Sequence, residues 1–132
     1  MNVLLSIKPK YVEEIMNGNK RYEFRKSIFR CREDVELVYI YSTSPVKKIV
    51  GVFTIETIIE DHPRNLWEKF KEFSGIGKEE FFSYFGGHKK GFAIGISNVE
   101  VFEDPIDPKN FIPGFVPPQS FRYIDECWRF GK

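Results

Sequence analysis

A chain of 132 residues with 42% hydrophobic and 17% aromatic content can bury one core without metal or disulfide staples, which excludes a disordered chain. Its formal charge of +1 hides an asymmetry: residues 1–32 carry eight cations against three acids, a net +5, while the remainder is net −4. No run approaches the eighteen or so continuous apolar residues of a membrane helix, and "MNVLLSIKPK" carries no cleavage pattern, so a cytoplasmic protein is expected.

"NVLLSI" reads as a short buried strand. Pro9 opens a helix, "KPKYVEEIMNG", with Tyr11, Val12, Ile15 and Met16 at helical spacing. Asn17 and Gly18 end it, because glycine accepts the left-handed turn after a helix. "KRYEFRK" then alternates. Lys20, Tyr22 and Phe24 share one face, and Arg21, Glu23 and Arg25 the other. Ion pairing of Glu23 with its neighbours accounts for this pattern without any function.

A second strand is expected from about Val35 to Tyr41, followed by the polar turn Ser42–Pro45. A long β-branched strand covers about Lys48 to Ile59, with Gly51 marking a bend. Asn65 is expected to cap the helix "LWEKFKEFSG", and Lys78 to begin the helix "KEEFFSYFGG". "GFAIGISNVEVF" returns to strand, with Ala93, Gly95 and Ser97 forming a face of small side chains that tight packing explains. The proline- and aromatic-rich extension from about residue 103 should lie over the body as coil and short strand. The order of elements predicts a single α+β domain over 1–132: a small mixed β-barrel with an N-terminal helix and a two-helix insert.

Several chemistries find no support. His62 and His88 lack companions for a metal site, and Cys31 and Cys127 have no metal-ligand spacing. Cys31 lies between two arginines but is expected to be a small packed side chain, with both thiols reduced. Nucleophile-elbow, phosphate-loop and dinucleotide motifs are missing, and no cofactor is implied. The "GGHKKG" turn could meet phosphate through Lys89 and Lys90, though an exposed turn is the simpler reading.

What remains are polar groups beside strand ends. Lys8, Lys20, Arg25 and Lys26 are candidate phosphate contacts. Tyr41, Ser42, Thr43 and Ser44 are candidates for base or sugar, as are Gln119 and Ser120, with Phe121 to stack. Cations for phosphate, amides and hydroxyls for base edges, and rings for stacking are the groups that single-stranded RNA recognition uses.

The opening "LLSIKPKYVEEIMNGNKRYEFRK" resembles that of the ASCH domain, a small β-barrel family related to PUA domains. The family's Gly-x-Lys-x-x-x-x-Arg segment is represented by Gly18, Lys20 and Arg25, and "YSTSPVKKIVGVF" and "GFAIGI" fit its barrel strands. The likeness spans roughly residues 2 to 101 and implies a PUA-like barrel with a nucleic-acid cleft beside the first helix. Some ASCH-like proteins are instead amidohydrolases of acylated cytidine nucleosides, using a lysine, a threonine three positions later and a distal glutamate. Lys20 matches the lysine, but Glu23 stands in place of the threonine, and Glu68, Glu79 and Glu80 are all available as the distal carboxylate.

The leading expectation is therefore binding of RNA or a modified nucleotide in a cationic cleft, with DNA as a further candidate partner. The alternative is an enzyme, amidohydrolase or nuclease, in which Lys20 polarises the substrate and Glu23 is the general base. A third reading has the aromatic tail contacting another protein. Neither membrane contact nor an oligomeric state is indicated.

Overall fold

The structure, a computed structural model, describes residues 1–124. Six strands form one mixed sheet: β1 (Asn2–Ile7), β2 (Tyr22–Arg25), β3 (Leu37–Ser42), β4 (Lys48–Asp61), β5 (Gly91–Ile106) and β6 (Phe121–Ile124). They lie in the order β2-β5-β4-β3-β1-β6. β1 and β3 run parallel and the other neighbours antiparallel. The sheet curls into the half-barrel of a PUA-like fold, with three helices: α1 (Pro9–Met16), α2 (Pro63–Phe70) and α3 (Lys78–Phe85).

Alternation along the strands divides the core. Val3, Leu5 and Ile7 join Val38, Ile40, Phe53, Ile94 and Ile96 beneath Val12 and Ile15 of α1. Leu4, Tyr39 and Tyr41 point the other way, into a second cluster closed by Ile112 and Phe115 from the proline-rich segment. A third cluster sets Leu66, Phe81 and Phe85 of the two-helix insert against Phe24 and Ala93. Phe81, fully buried, contacts Phe24, Trp67, Phe82 and Phe85 with ring centroids 4.9–5.1 Å apart. Those contacts pin the insert to the edge of the sheet.

Local signals explain most element boundaries. Gly18, at φ +85°, turns the chain out of α1. The β4–β5 ladder shifts register between Ile49 and Gly51, and an added Cβ on Gly51 would meet the Glu100 carbonyl at 2.6 Å. Gly95 lies against Thr57, so the small face of β5 serves packing.

Three expectations need correction. His62, rather than Asn65, caps α2, its ring accepting a hydrogen bond from the Arg64 N–H. With Pro63 at the first helical position, the helix starts three residues earlier, and Asn65 instead donates to Asp61. Cys31 is exposed rather than packed, in a left-handed turn at φ 49°. β5 continues to Ile106, so the chain leaves the sheet later than 103. Cys127 and the end of the aromatic tail lie outside the described residues.

Candidate functional site

The two sheet edges, β2 and β6, approach each other without pairing, and a cleft of about 530 Å³ opens across that seam. Ser6 and Ile7 close β1 and Lys8 follows it, Tyr11 projects from α1, and Lys20, Glu23, Phe24 and Arg25 come from β2 and its approach. Ile76, Glu80, Phe81, Ser83 and Tyr84 form the wall supplied by the insert, and Thr43, Pro118 and Gln119 complete the rim.

Three buried charges make its floor. Lys20, Glu23 and Arg25 are 3%, 6% and 8% exposed, a rare condition for such groups unless they are paired. Glu23 Oε2 accepts hydrogen bonds from Arg25 Nε at 3.0 Å and Nη2 at 2.7 Å. Arg25 Nη2 also donates to the Ser6 carbonyl at 2.6 Å, and Nη1 to Ser120 Oγ at 3.2 Å. One guanidinium thus ties β2 to β1 and to the start of β6, stitching the open seam. Its planar fork of five donors suits that task as a lysine would not.

Lys20 holds the other end. Its Nζ donates to the Ser74 carbonyl at 2.7 Å and lies 3.5 Å from Glu23 Oε1. The same Nζ lies 5.5 Å from the Tyr11 ring centre and 5.1 Å from that of Phe24, two rings that line the cleft. Burial pushes the Lys20 ammonium below its usual 10.5; Glu23, by charge and hydrogen bond, pushes back up, and Arg25 adds a smaller downward effect. The floor carries a net +1 with the carboxylate fully engaged by its two cations. It can hold an anionic oxygen of a ligand, because fixed charge in a partly desolvated site acts more strongly than in water.

The backbone explains how Lys20 reaches this place. The Lys20 N–H donates to the Glu14 carbonyl at the end of α1, and the Arg21 N–H to the Phe73 carbonyl at 2.8 Å. Regular strand begins only at Tyr22, so alternation does not govern position 20. Lys20 therefore shares the site with Glu23 and Arg25 instead of following Tyr22 and Phe24 into the core. Behind it, Gly75 has φ +63°, and an added Cβ there would collide with the Lys20 Cβ. Ser74, 2% exposed, has its hydroxyl within hydrogen-bond reach of the Lys71 and Ile76 carbonyls. The sequence reading missed Ser74 and Gly75; the one available signal was a Ser-Gly pair ending a helical pattern.

The remaining candidates separate. Lys8, Lys20, Glu23, Arg25, Thr43 and Gln119 line the cleft. Tyr41 does not, since strand alternation turns it into the second core cluster, against Phe115 at 5.5 Å. Ser42 is buried in the β1–β3–β4 ladder, and exposed Ser44 lies beyond the cleft. Phe121 packs edge-on against Phe29 rather than offering a stacking face in the cleft. Ser120 is a partner of Arg25, and Lys26 stands outside the lip with its Nζ 4.8 Å from the Tyr84 ring centre. Of the three carboxylates open as a distal glutamate, only Glu80 reaches the cleft, where it pairs with Lys10 of α1 at 2.8 Å. Among the described residues no group of three His, Cys, Asp or Glu side chains is placed to hold a metal ion.

With this geometry the chain resembles known proteins over nearly its whole length. The family model DUF365, described as a domain of unknown function, matches residues 1–125. An ASCH domain-containing ribonuclease from Zymomonas mobilis is 27% identical over 127 residues, covering 92% of this chain and 82% of that protein. The crystal structure of ASCH from Zymomonas mobilis matches with a TM-score of 0.84 at 25% identity, covering 95% of this chain and 88% of that one. ATP synthase subunit alpha of Ureaplasma parvum is 31% identical over 123 residues, but these make up only 15% of that protein. The chain belongs to the DUF365 family, and its domain is an ASCH domain.

Proposed function

We propose that this chain binds RNA, taking one nucleotide into the cleft between α1, α3 and the seam of the half-barrel. The observation that carries this reading is the buried floor, where Lys20 and Arg25 flank Glu23 and all three line the cleft. Tyr11 and Tyr84 give apolar faces for a base, and Thr43 and Gln119 give polar groups for its edge or sugar. A largely apolar cleft with a few placed polar groups is the usual form of a small-ligand site. The ASCH domain-containing ribonuclease supports RNA as the polymer.

In this reading Glu23 is an anchor rather than a base. Its Oε2 is occupied by two hydrogen bonds from Arg25 and its Oε1 faces Lys20, which leaves the carboxylate engaged within the floor. A second reading, RNA cleavage, is favoured by the downward shift of Lys20, which brings its proton closer to what general acid–base chemistry can use. Attack of a ribose 2′-oxygen on the adjacent phosphorus would form one P–O bond and break the bond to the 5′-oxygen, the 2′-hydroxyl proton passing to water and the leaving 5′-oxygen taking a proton from the Lys20 ammonium. Lys20 would stabilise the charge on the phosphoryl oxygens.

Fluorescence anisotropy with short single-stranded RNA and DNA tests binding. RNA affinity should fall steeply with salt as counterions are released, and Lys20→Ala should weaken it about tenfold or more. No binding at low salt to any RNA would overturn the proposal. Incubation of end-labelled RNA, with acetylated cytidine assayed alongside, separates binding from turnover. RNA products from the wild type that vanish in Lys20→Ala favour cleavage, and an intact strand favours binding alone.

A further inference from the structure

From the lip of the cleft we infer that its ligand is a single-stranded segment, with a second binding step outside the cleft formed by Tyr84 and Lys26 and continued by Arg32 and Lys90. This rests on the cleft's being an RNA site and extends it from one nucleotide to a strand. Tyr84 lines the cleft and is 38% exposed, so one part of the ring faces the bound nucleotide while another faces solvent. Phe85 holds it edge-on at 5.0 Å, and its hydroxyl accepts a hydrogen bond from the Lys26 N–H at 3.1 Å. A ring fixed in this way is a stacking platform that costs little ordering when a base arrives. Lys26 Nζ, 4.8 Å from the ring centre, puts a cation where the phosphate joining two nucleotides would pass.

The sheet continues the path. Arg25 faces Phe92 across the β2–β5 ladder, which sets Phe92 beside the residue preceding Lys26. Arg32 lies 5.9 Å and Lys90 Nζ 6.0 Å from the Phe92 ring centre. Lys26, Arg32 and Lys90 thus lead away from the cleft, each held against an aromatic ring. Glu60 is 4.0 Å from Lys90, and Glu33 and Asp34 share the short turn of Arg32, so these acids offset part of the charge. A free nucleoside has no phosphate for Lys26, whereas a strand uses both the stacking ring and the cation.

The test compares a single-stranded RNA hexanucleotide with a nucleoside monophosphate, by anisotropy and competition, on wild type and on the triple variant Lys26→Ala, Arg32→Ala, Lys90→Ala. The hexanucleotide should bind wild type more tightly, and the triple variant should weaken it about tenfold. Its salt dependence should become shallower by about 0.7 in log–log slope for each phosphate the variant no longer neutralises. Monophosphate affinity should not change. Tyr84→Leu should also weaken the hexanucleotide, and circular dichroism checks that each variant is folded. Equal wild-type affinity for both ligands, or an unchanged hexanucleotide slope in the triple variant, overturns the strand path while the cleft stands. Failure of both ligands to bind wild type overturns the cleft reading itself, and the path with it.

Discussion

Arg25 is the residue on which both fold and site depend. Its donors reach Glu23, Ser6 and Ser120, so it neutralises a buried carboxylate and spans two sheet edges. Removing one member of a buried pair usually costs about 3–5 kcal/mol, since the other charge stays buried without its partner. Arg25→Met should therefore lose stability on that scale in urea unfolding, while Lys26→Met, on the surface, should change it by about 0.5 kcal/mol or less. Lys20 gives a second prediction, in pH. Its folded pKa is lowered, so between that value and 10.5 the unfolded chain binds more protons than the folded one. Stability contributed at this site therefore rises with pH through the window and is flat below it. Lys20→Met should remove that alkaline rise in denaturation curves. Ligand affinity should move the opposite way in wild type, falling as the ammonium loses its proton below the ordinary lysine range.

At the scale of elements, the site depends on where α1 stops and the insert returns. The end of α1 accepts the Lys20 N–H, the end of the α2 segment accepts the Arg21 N–H, and the loop after it accepts Lys20 Nζ. Gly75 makes that loop fit, because it combines a positive φ with close packing against the Lys20 stem. Gly75→Ala adds the strain of a left-handed residue, about 1–2 kcal/mol, together with a clash at the Lys20 Cβ. The expected result is loss of RNA affinity close to that of Lys20→Ala, with circular dichroism still native. The elements themselves were legible locally: Pro9 and Gly18 bracketed α1, and the β-branched run gave β4. The start of α2 was less so, because His62 and Asn65 can both act near a helix start and only the position of Pro63 in the fold separates them.

At the scale of the whole molecule, the charge asymmetry of the sequence takes a different form in space. Two of the eight N-terminal cations, Lys20 and Arg25, are buried around Glu23, and Lys10 is paired with Glu80 across the mouth of the cleft. The net +5 of the first 32 residues is thus partly neutralised inside the fold. Of the cations that remain, Lys8 stands at the rim of the cleft, and Lys26 and Arg32 stand outside it against Tyr84 and Phe92.

Strand alternation set Lys20 apart from Glu23 and Arg25, and the family resemblance grouped them; the sequence by itself determined the class of fold and the helix and strand signals. Those features rest on local physics: periodicity and turn residues. Only the tertiary structure decided which polar groups near strand ends share a cleft. Tyr41 and Thr43 are two residues apart, yet one enters the core and the other the rim, because the strand ends between them. Ser74, Tyr84 and Gln119 lie 54, 64 and 99 positions from Lys20, and curvature of the sheet and packing of Phe81 bring them to it. Contacts at such separations are fixed by how the layers close, which no local pattern records.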